Sequence, residues 1–432
     1  MSTFSGGLLL SFDKTIQDKS IEQVPLPKKM VIPLKQYVGV PCEAKVKKGD
    51  EVRAGQVIGE SANPNSIPTH ATTSGKVADI VKKSPHYKGD YVPAVIIEPD
   101  GKDEWIELPK ASGDYLQKSP DDLLNLIRQA GVADFDVDSI PLPTKLGQAK
   151  EKSINTLIIN GIDIEPFLAS RYRLLVERTQ DIASGIEILK KILGVSTIYI
   201  AVSEDIPALR SAITQNATRI VTLKAKFPQA LEKLLVKSIL NKEIPPEGTA
   251  SDIGASIHDV ETVLAVLEAV RDGKPVIEKV FTLAGDGVNS PKNLRARIGT
   301  PIDHIVQYSG GFRGTPGKLI IGGPLMGIAQ YTTEIPVTKE TLGLFIQPEA
   351  ELTIISTQKC FNCGMCVRAC PARLLPHVIS AYCEIGEFEK AQDYYLSCCM
   401  DCGCCSYVCP AKIPLFHWIK YGKLQIAKRV EE

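Results

Sequence analysis

The chain has 432 residues, of which 50 are basic, 50 are acidic and 44% are hydrophobic. This length is too great for one ordinary core, so two to four domains are expected. A chain with a formal net charge of zero has no overall electrostatic attraction for a polyanion, so nucleic-acid binding is not expected.

Targeting and membrane signals are absent from the sequence pattern. The first twelve residues have no basic segment, and their only apolar run is Leu8 to Leu10, so we expect no secretory signal. No 18 apolar residues run together, so we expect no transmembrane segment of the chain's own. The sequence therefore predicts a soluble or peripheral protein.

The first module is predicted between Val31 and Pro99, where apolar and polar residues alternate between glycine turns. This pattern is typical of a small, half-open all-β module. The turn at Gly49 and Asp50 resembles that of biotinyl/lipoyl-type barrel-sandwich domains, which carry a modifiable lysine on a hairpin. Residues 61–68 lie in that region and contain no lysine, so a packing role is favoured over a carrier role.

Strand and helix signals alternate in the next part of the chain. Short apolar runs predict strands, and 3.6-residue periodicity predicts the helices between them. In chain order these are a helix at 121–131, a strand at 155–161, a helix from Arg173 to Leu193, a strand at 197–202, a helix from Pro207 to Thr214 and a strand at 219–225. Such alternation is typical of a parallel α/β layer. A second β-rich stretch follows from Lys279 to Gly327.

Eight of the twelve cysteines form two copies of the pattern C-x-x-C-x-x-C-x-x-x-C-P near the C-terminus, the first motif from Cys360 to Pro371 and the second motif from Cys399 to Pro410. Three thiolates at every third residue can bind one face of a four-iron cluster, while the fourth cysteine reaches the other cluster. The sequence therefore predicts two 4Fe-4S clusters with exchanged fourth ligands. The predicted ligands are Cys360, Cys363, Cys366 and Cys409 for the first cluster, and Cys399, Cys402, Cys405 and Cys370 for the second.

Structural zinc and disulfides are the alternative interpretations of these cysteines. Zinc sites usually combine two C-x-x-C pairs across a long spacer, and disulfide scaffolds belong to short secreted chains. Both fit the repeated triplet less well than iron–sulfur clusters do. Four cysteines lie outside the repeat and are predicted to be buried or neighbouring thiols: Cys42, Cys383, Cys398 and Cys404.

The order of these parts resembles the C subunit of the Rnf-type electron transport complex. The resemblance covers nearly the whole chain, and the second cysteine motif is its most specific part. It rests on the following segments: Gly6-Gly7, the turn at Gly49-Asp50, LIING with Glu165-Pro166, GDGV from Gly285, RIGTPI from Arg297, GGPLMG from Gly322, and the two cysteine motifs ending in CGCCSYVCPAKIPL.

The resemblance implies a multidomain α/β fold in four parts. These are a barrel-sandwich module with an N-terminal arm (1–115), a Rossmann-like flavin-domain fold (116–273), a β-grasp module that binds soluble ligands in its relatives (274–345) and a two-cluster domain (346–432). The last is expected to be an α-helical ferredoxin-like domain, because the spacer at 374–395 reads as helical and is longer than that of a compact ferredoxin.

Relatives of the common type oxidise or reduce a nicotinamide through FMN, using a glycine-rich loop after the first helix. Here the corresponding stretch begins at Gly131 and reads GVADFDVDSIPLPTKL. Side chains stand where bare N–H groups would otherwise converge on a phosphate: Asp134, Asp136, Val137 and Ser139, with Asp138 as a third carboxylate. We expect the side chains to block this approach and the charges to repel the anion, so that nicotinamide binding is lost and FMN binding is doubtful.

Two further differences from the family pattern also favour the loss of nicotinamide binding. Ala230-Leu231-Glu232 replaces a family Gly-Gly-Glu, and Asp259 replaces an asparagine. Asn160, Asp163 and Glu165 do match the family's flavin-proximal N-G-x-E-x-E, with Asp163 for the first glutamate. They are the candidate residues of a vestigial FMN site, and the alternative is that they only cap the turn after a strand.

These features predict an electron-transfer subunit without independent catalysis, relaying single electrons in an ion-translocating, Rnf-type complex. The expected partners are the other subunits, including a ferredoxin-like iron–sulfur subunit and membrane subunits, and ferredoxin itself. The expected location is the cytoplasmic face of the membrane. The alternatives are a similar subunit of a soluble methylenetetrahydrofolate or cobalamin reductase, and a scaffold with structural clusters. The backbone at Gly364 and Gly403, and Lys412, are candidate tuners of the cluster potentials.

Overall fold

The computed structural model describes residues 3–10, 15–108, 114–137, 139–203, 206–212, 218–352 and 358–431. Within these ranges the chain forms two small antiparallel sheets, a parallel sheet between helices, a mixed six-stranded sheet and a helical C-terminal part, in that order. None of the helices in the described ranges is both long and apolar enough to cross a bilayer.

The N-terminal part of the chain contains strands of two to eleven residues. They are β1 (Ile21–Gln23), β2 (Met30–Pro33), β3 (Glu43–Ala44), β4 (Glu51–Val52), β5 (Val57–Glu60), β6 (Thr69–His70), β7 (Gly75–Pro85) and β8 (Tyr91–Pro99). One sheet has the order β2-β8-β7-β4 and the other β3-β5-β6. Ile32, Ile58 and Ile97 are fully buried in the core of the module, as the alternating sequence pattern predicts.

The next part is the predicted parallel α/β layer. Its elements are α1 (Pro120–Gln129), α2 (Leu142–Glu151), β9 (Thr156–Asn160), α3 (Ser170–Glu177), α4 (Thr179–Leu193), β10 (Thr197–Val202), α5 (Pro207–Ala212), β11 (Thr218–Thr222), α6 (Glu232–Leu240), β12 (Ala255–Asp259) and α7 (Val260–Arg271). All pairings in the order β11-β10-β9-β12 are parallel. The single helix predicted from Arg173 to Leu193 is two helices that meet at Arg178, and the predicted end of α5 at Thr214 lies outside the described residues.

The second β-rich stretch forms a mixed sheet with one helix. Its elements are β13 (Glu278–Ala284), β14 (Lys292–Arg297), α8 (Ile302–Tyr308), β15 (Pro316–Ile321), β16 (Ile328–Gln330) and β17 (Gly343–Pro348). The strand order is β1-β14-β13-β17-β15-β16, so β1 near the N-terminus completes a sheet whose other strands all follow residue 277. The domain boundary predicted after residue 345 falls within β17, and the boundaries stay predictions.

The C-terminal part is helical. Its helices are α9 (Met365–Ala369), α10 (Pro376–Glu384), α11 (Phe388–Asp393), α12 (Cys404–Tyr407) and α13 (Leu415–Glu431). Helices α10 and α11 occupy the spacer between the cysteine motifs, as predicted. Single 3-10 turns occur at Thr15–Asp18, Tyr115–Gln117, Ala250–Ile253, Glu349–Glu351 and Leu396–Cys398. The core of this part contains three of the predicted ligands, Cys366, Cys405 and Cys409.

Candidate metal centres

The two cysteine motifs adopt the same backbone conformation. Gly364 and Gly403 both have φ of +70° and begin the short helices α9 and α12, each of which carries the third cysteine of its motif. Left-handed φ values recur at two further pairs of equivalent positions: Asn362 (+55°) with Asp401 (+52°), and Arg373 (+57°) with Lys412 (+55°). Because non-glycine residues rarely adopt such angles, this threefold recurrence reflects one conformation that both motifs require.

The predicted second quartet lines one cavity. Cys370 of the first motif and Cys399, Cys402 and Cys405 of the second all contribute to its wall, and Phe416 and Ile419 of α13 close it. The fourth cysteine of the first motif therefore lies with the first three of the second. This donor set fits a four-iron cluster, which is held by four cysteine thiolates.

The predicted first quartet spans the core and the surface. Cys366 and Cys409 are buried in the same apolar core, whereas Cys360 and Cys363 are exposed. Nδ1 of His377 lies 3.9 Å from Sγ of Cys366. In the described part of the chain, no three His, Cys, Asp or Glu side chains converge on one point as a single metal ion would require. A cubane differs because each of its irons takes its own thiolate.

The N-terminal arm, residues 3–10, packs directly on the first motif. The N–H of Gly7 donates to the carbonyl of Ala369 at 2.8 Å, and Leu8 pairs with Phe227 of the α/β layer. A Cβ at Gly6, whose φ is +72°, would lie 2.6 Å from the carbonyl oxygen of Cys370. The sequence pattern contains these glycines without a local reason for them, and this close approach supplies one.

A loop at 322–327 covers the second motif. The carbonyl oxygen of Leu325 lies so close to Gly403 that an added Cβ would be 2.4 Å from it. The carboxylate of Glu165 accepts hydrogen bonds from the N–H groups of Gly323, Leu325 and Met326 at 3.1, 2.7 and 2.8 Å. Burial raises the pKa of Glu165 to about 7. Glu165 thus holds the loop that shields the second motif.

Asn160 and Asp163 also have partners within the protein. The side chain of Asn160 donates to the carbonyl of Ala230 at 2.9 Å and accepts from the N–H of Ile162 at 3.2 Å. Asp163 accepts from the N–H of Arg171 at 2.9 Å, near the start of α3. These hydrogen bonds are the ones expected if the residues only cap the turn after the strand. A vestigial flavin role for Asn160, Asp163 and Glu165 stays a prediction.

A cavity of about 510 Å³ separates the α/β layer from the second motif. Its wall combines the loop after α1, the start of α6 and the first residues of the second motif. The charged or thiol-bearing side chains on this wall are Asp134, Asp136, Lys145, Glu232, Lys233, Cys399, Asp401 and Lys423. A molecule in this cavity would therefore lie next to a predicted ligand of the second cluster.

The acidic loop is electrically compensated, which corrects one sequence-based expectation. Asp134 is buried and lies 2.6 Å from Nζ of Lys145 and 3.1 Å from Nδ1 of His258. Although burial opposes ionisation, these partners hold the pKa of Asp134 below its ordinary value. Asp136 pairs with Arg171 at 3.3 Å. The expectation that these two carboxylates repel an anion is therefore wrong. The side chains still stand where the family has glycines. Asp138 lies outside the described residues.

Lys423 is a site residue that the sequence analysis missed. Its Nζ donates to the carbonyl of Cys399 at 2.6 Å and to the carboxylate of Asp401 at 2.9 Å. Lys423 lies on α13, 24 residues beyond Cys399, so spacing alone gave no signal for this contact. The long helix of the C-terminal part thus places a positive charge beside the second motif.

Four family models match the chain in the order of the observed parts. They are the RnfC Barrel sandwich hybrid domain (2–102), the Nuo51 FMN-binding domain (127–268), the SLBB domain (280–329) and the 4Fe-4S binding domain (353–374). The predicted four-part fold is confirmed. The fold and its cysteine motifs define an electron-transfer protein of the iron–sulfur class.

Similar proteins identify the family. The C subunit of the proton-translocating ferredoxin:NAD(+) oxidoreductase complex of Clostridium ljungdahlii is 35% identical over 91% of this chain and 87% of its own length. Its counterpart in the Na(+)-translocating complex of Acetobacterium woodii is 33% identical over 90% and 89%. The counterpart in the ion-translocating oxidoreductase complex of Rhodobacter capsulatus is 36% identical over 95% and 80%. The chain belongs to the family of C subunits of Rnf-type, ion-translocating oxidoreductase complexes, as the sequence analysis predicted.

A more distant likeness concerns the fold alone. A chain of the H2-reduced NAD+-reducing [NiFe]-hydrogenase superposes with a TM-score of 0.52 at 15% sequence identity. The match covers 73% of this chain and 62% of the hydrogenase chain.

Proposed function

We propose that this chain relays single electrons through two 4Fe-4S clusters within an Rnf-type complex, without oxidising a nicotinamide. Cys360, Cys363, Cys366 and Cys409 hold the first cluster, and Cys370, Cys399, Cys402 and Cys405 hold the second. The cavity that Cys370 shares with three cysteines of the second motif is the observation that carries this assignment. Bound clusters supply one-electron centres at potentials that the surrounding charges and N–H groups set.

The two proposed clusters lie at different depths in the protein. Cys360 and Cys363 lie at the surface, while Cys399 of the second motif borders the cavity beside the α/β layer. Helices α9 and α12 pack on each other, and the exchanged fourth cysteines tie the two motifs together. The loop at 322–327 packs against the second motif, and the N-terminal arm packs against Cys370, the proposed ligand that the first motif gives to the second cluster. The chain therefore offers one path from its surface to its interior.

The loop after α1 argues against nicotinamide oxidation. Phosphate cradles need converging N–H groups with no side chains in the way. Among the described residues 131–137 and 139–143, Gly131 is the only one with a left-handed φ. The match to an FMN-binding domain supports the flavin-domain fold, whereas Asn160, Asp163 and Glu165 already make hydrogen bonds within the protein.

The proposed setting is a membrane-associated complex. The names of the relatives describe subunits of ion- or proton-translocating ferredoxin oxidoreductases. By analogy, this chain lies on the cytoplasmic face through partner subunits, including a ferredoxin-like iron–sulfur subunit and membrane subunits. Its electrons come from or go to ferredoxin through that assembly.

Composition of the anaerobically purified protein tests this function. We expect close to eight irons and eight sulfides per chain, little or no tightly held flavin, and no bleaching of the cluster absorption by NADH. Stoichiometric flavin together with reduction by NADH would contradict the relay without nicotinamide chemistry. One metal per quartet and no sulfide would contradict the clusters themselves.

Single-cysteine variants test the exchanged ligands. Cys370→Ala should abolish the paramagnetic signal of the second cluster and keep that of the first, and Cys409→Ala should do the reverse. Cys383 is buried in the same core but is not a predicted ligand, so Cys383→Ala is the matched control and should keep both signals. If Cys370→Ala instead removes the first cluster, the ligands follow the motifs without exchange.

A further inference from the structure

The beginning of the first motif lies at the surface. Cys360 and Cys363 are exposed, and between and beside them the side chains of Phe361 and Met365 are 60% and 38% exposed. Lys359 and Arg368, both exposed, flank these apolar groups. We call Lys359, Phe361, Met365 and Arg368 the first-cluster face.

The second motif provides an internal comparison, because its backbone is the same. At Gly403 an added Cβ would collide with Leu325 of the covering loop, at 2.4 Å. At the equivalent Gly364, the nearest atom among the surroundings is the guanidinium of Arg368, at 4.0 Å. Cys402 is buried, whereas its equivalent Cys363 is exposed. The exposure of the first motif is therefore not a property of the motif itself, and only one of the two is open to a partner.

The chain segment that carries the first-cluster face has charged side chains of one sign. Residues 358–383 contain Lys359, Arg368 and Arg373 but no aspartate or glutamate, in a chain whose total charge is zero. Arg373 is held by the N-terminal arm through a 2.9 Å bond to Ser5. The charges of Lys359 and Arg368 attract an approaching molecule of negative charge. A small apolar centre with a cationic rim is therefore complementary to an acidic partner.

We propose that the first-cluster face is the docking site of an acidic iron–sulfur electron carrier. This inference rests on the proposed function and adds the surface and the charge of the partner. One electron leaves the reduced cluster of the carrier, which becomes oxidised, and reduces the first cluster by one electron; no proton or atom is transferred. Exposed Cys360 and Cys363 matter because electron transfer slows steeply with distance. Small, charged, short-lived interfaces are typical of redox encounters.

Charge reversal on the purified, cluster-containing chain tests the docking site, with an acidic two-cluster bacterial ferredoxin as the probe. We expect K359E/R368E to lower the second-order rate constant for reduction by reduced ferredoxin roughly tenfold at low salt, and to flatten its decline with salt. Phe361→Ser should lower the rate at every salt concentration. The matched control K82E/K83E reverses two charges on β7 and should stay within about twofold of wild type, because β7 lies outside the face.

Two additional measurements separate the docking site from the proposed function. Iron and sulfide contents identify any variant or wild-type chain that lacks clusters. Binding of oxidised ferredoxin, measured without electron transfer, reports docking even then. Equal rates and affinities in wild type and K359E/R368E would overturn the proposal, as would an equal loss in K82E/K83E. Self-association of the wild-type chain that K359E/R368E abolishes would overturn it as well, since a second copy would then occupy this face.

Discussion

At the scale of single residues, Gly6 has a strict geometric requirement. Its φ of +72° and its contact with the backbone of Cys370 leave no room for a Cβ, which would lie 2.6 Å from a carbonyl oxygen. Gly6→Ala should therefore displace the arm or Cys370, and we expect loss of at least half of the second-cluster signal while the first cluster stays. Electron paramagnetic resonance with iron analysis measures this effect.

Gly89→Ala is the control for Gly6→Ala. Gly89 also has a left-handed φ, +92°, but open space surrounds the position of its missing Cβ. This variant suffers only the backbone strain of about 1 kcal/mol and should keep both clusters. An intact second cluster in Gly6→Ala would show that the arm does not position Cys370.

Lys423 allows an electrostatic prediction. A positive charge near a cluster favours the reduced, more negative state, so Lys423→Met should lower the midpoint potential of the second cluster. At an effective dielectric constant near 20, one charge at about 6 to 15 Å contributes about 1–3 kcal/mol. That corresponds to about 40–130 mV for one electron. A redox titration followed by paramagnetic resonance provides the measurement.

The ion pair itself supplies the control for Lys423. Removing both charges in K423M/D401N should return the potential toward the wild-type value, because Asp401 is the carboxylate that Lys423 neutralises. Lys428→Met, at an exposed position farther along α13, should shift the potential little. A first-cluster shift as large as that of the second would contradict a local effect.

At the scale of elements, the burial of Glu165 beside the loop at 322–327 makes stability depend on pH. Burial raises the pKa of Glu165 from 4.5 to about 7 in the folded protein. Between these values the folded state holds a proton that the unfolded chain has released. The contribution of Glu165 to stability is therefore greatest below about pH 4.5 and falls as pH rises through this window, by about 3 kcal/mol in total.

Glu165→Gln removes this titration. The amide loses one acceptor for the loop at every pH, but it has no proton to release. The melting temperature of wild type minus that of the variant should therefore decrease from pH 5 to pH 8. Glu51→Gln, at an exposed position on β4, is the matched control substitution. A constant or growing difference for Glu165→Gln would contradict the buried-carboxylate interpretation.

At the scale of the whole molecule, local repetition was predictable and long-range contacts were not. The cysteine triplets, the alternating strands of the first module and the apolar runs of the parallel sheet each leave a periodic signal within a few residues. Contacts between distant segments leave none: Gly6 with Cys370, Asp134 with His258, and Lys423 with Cys399.

The acidic loop illustrates the physical reason. Asp134, Asp136 and Asp138 suggested a repulsive surface, yet Asp134 turns inward to Lys145 and His258. A run of acidic residues predicts a negative electric field only if the residues that pair with them are known. Here the pairing residues lie up to 124 positions away in the sequence. The missing glycines, in contrast, are a property of the local chain and required no tertiary knowledge.

The last prediction concerns what the clusters do for folding. Helices α9, α11 and α12 have five, six and four residues, which is too short for independent stability. The core around them includes Cys366, Cys405 and Cys409, whereas the core of the α/β layer contains no cysteine among its described residues. Since cluster binding then supplies folding free energy to the C-terminal part, removing iron should unfold residues 358–431 and leave the parallel sheet intact.

Hydrogen exchange read by mass spectrometry measures this separation after treatment with a reductant and an iron chelator. We expect amide protection to disappear from α9 to α12 and to persist in β9, β10 and β12. The N-terminal arm and the loop at 322–327 should lose protection together with the motifs, because each packs against one of them. Chelator without reductant is the control. If the arm and loop stay protected, their order comes from the α/β layer and not from the clusters that they cover.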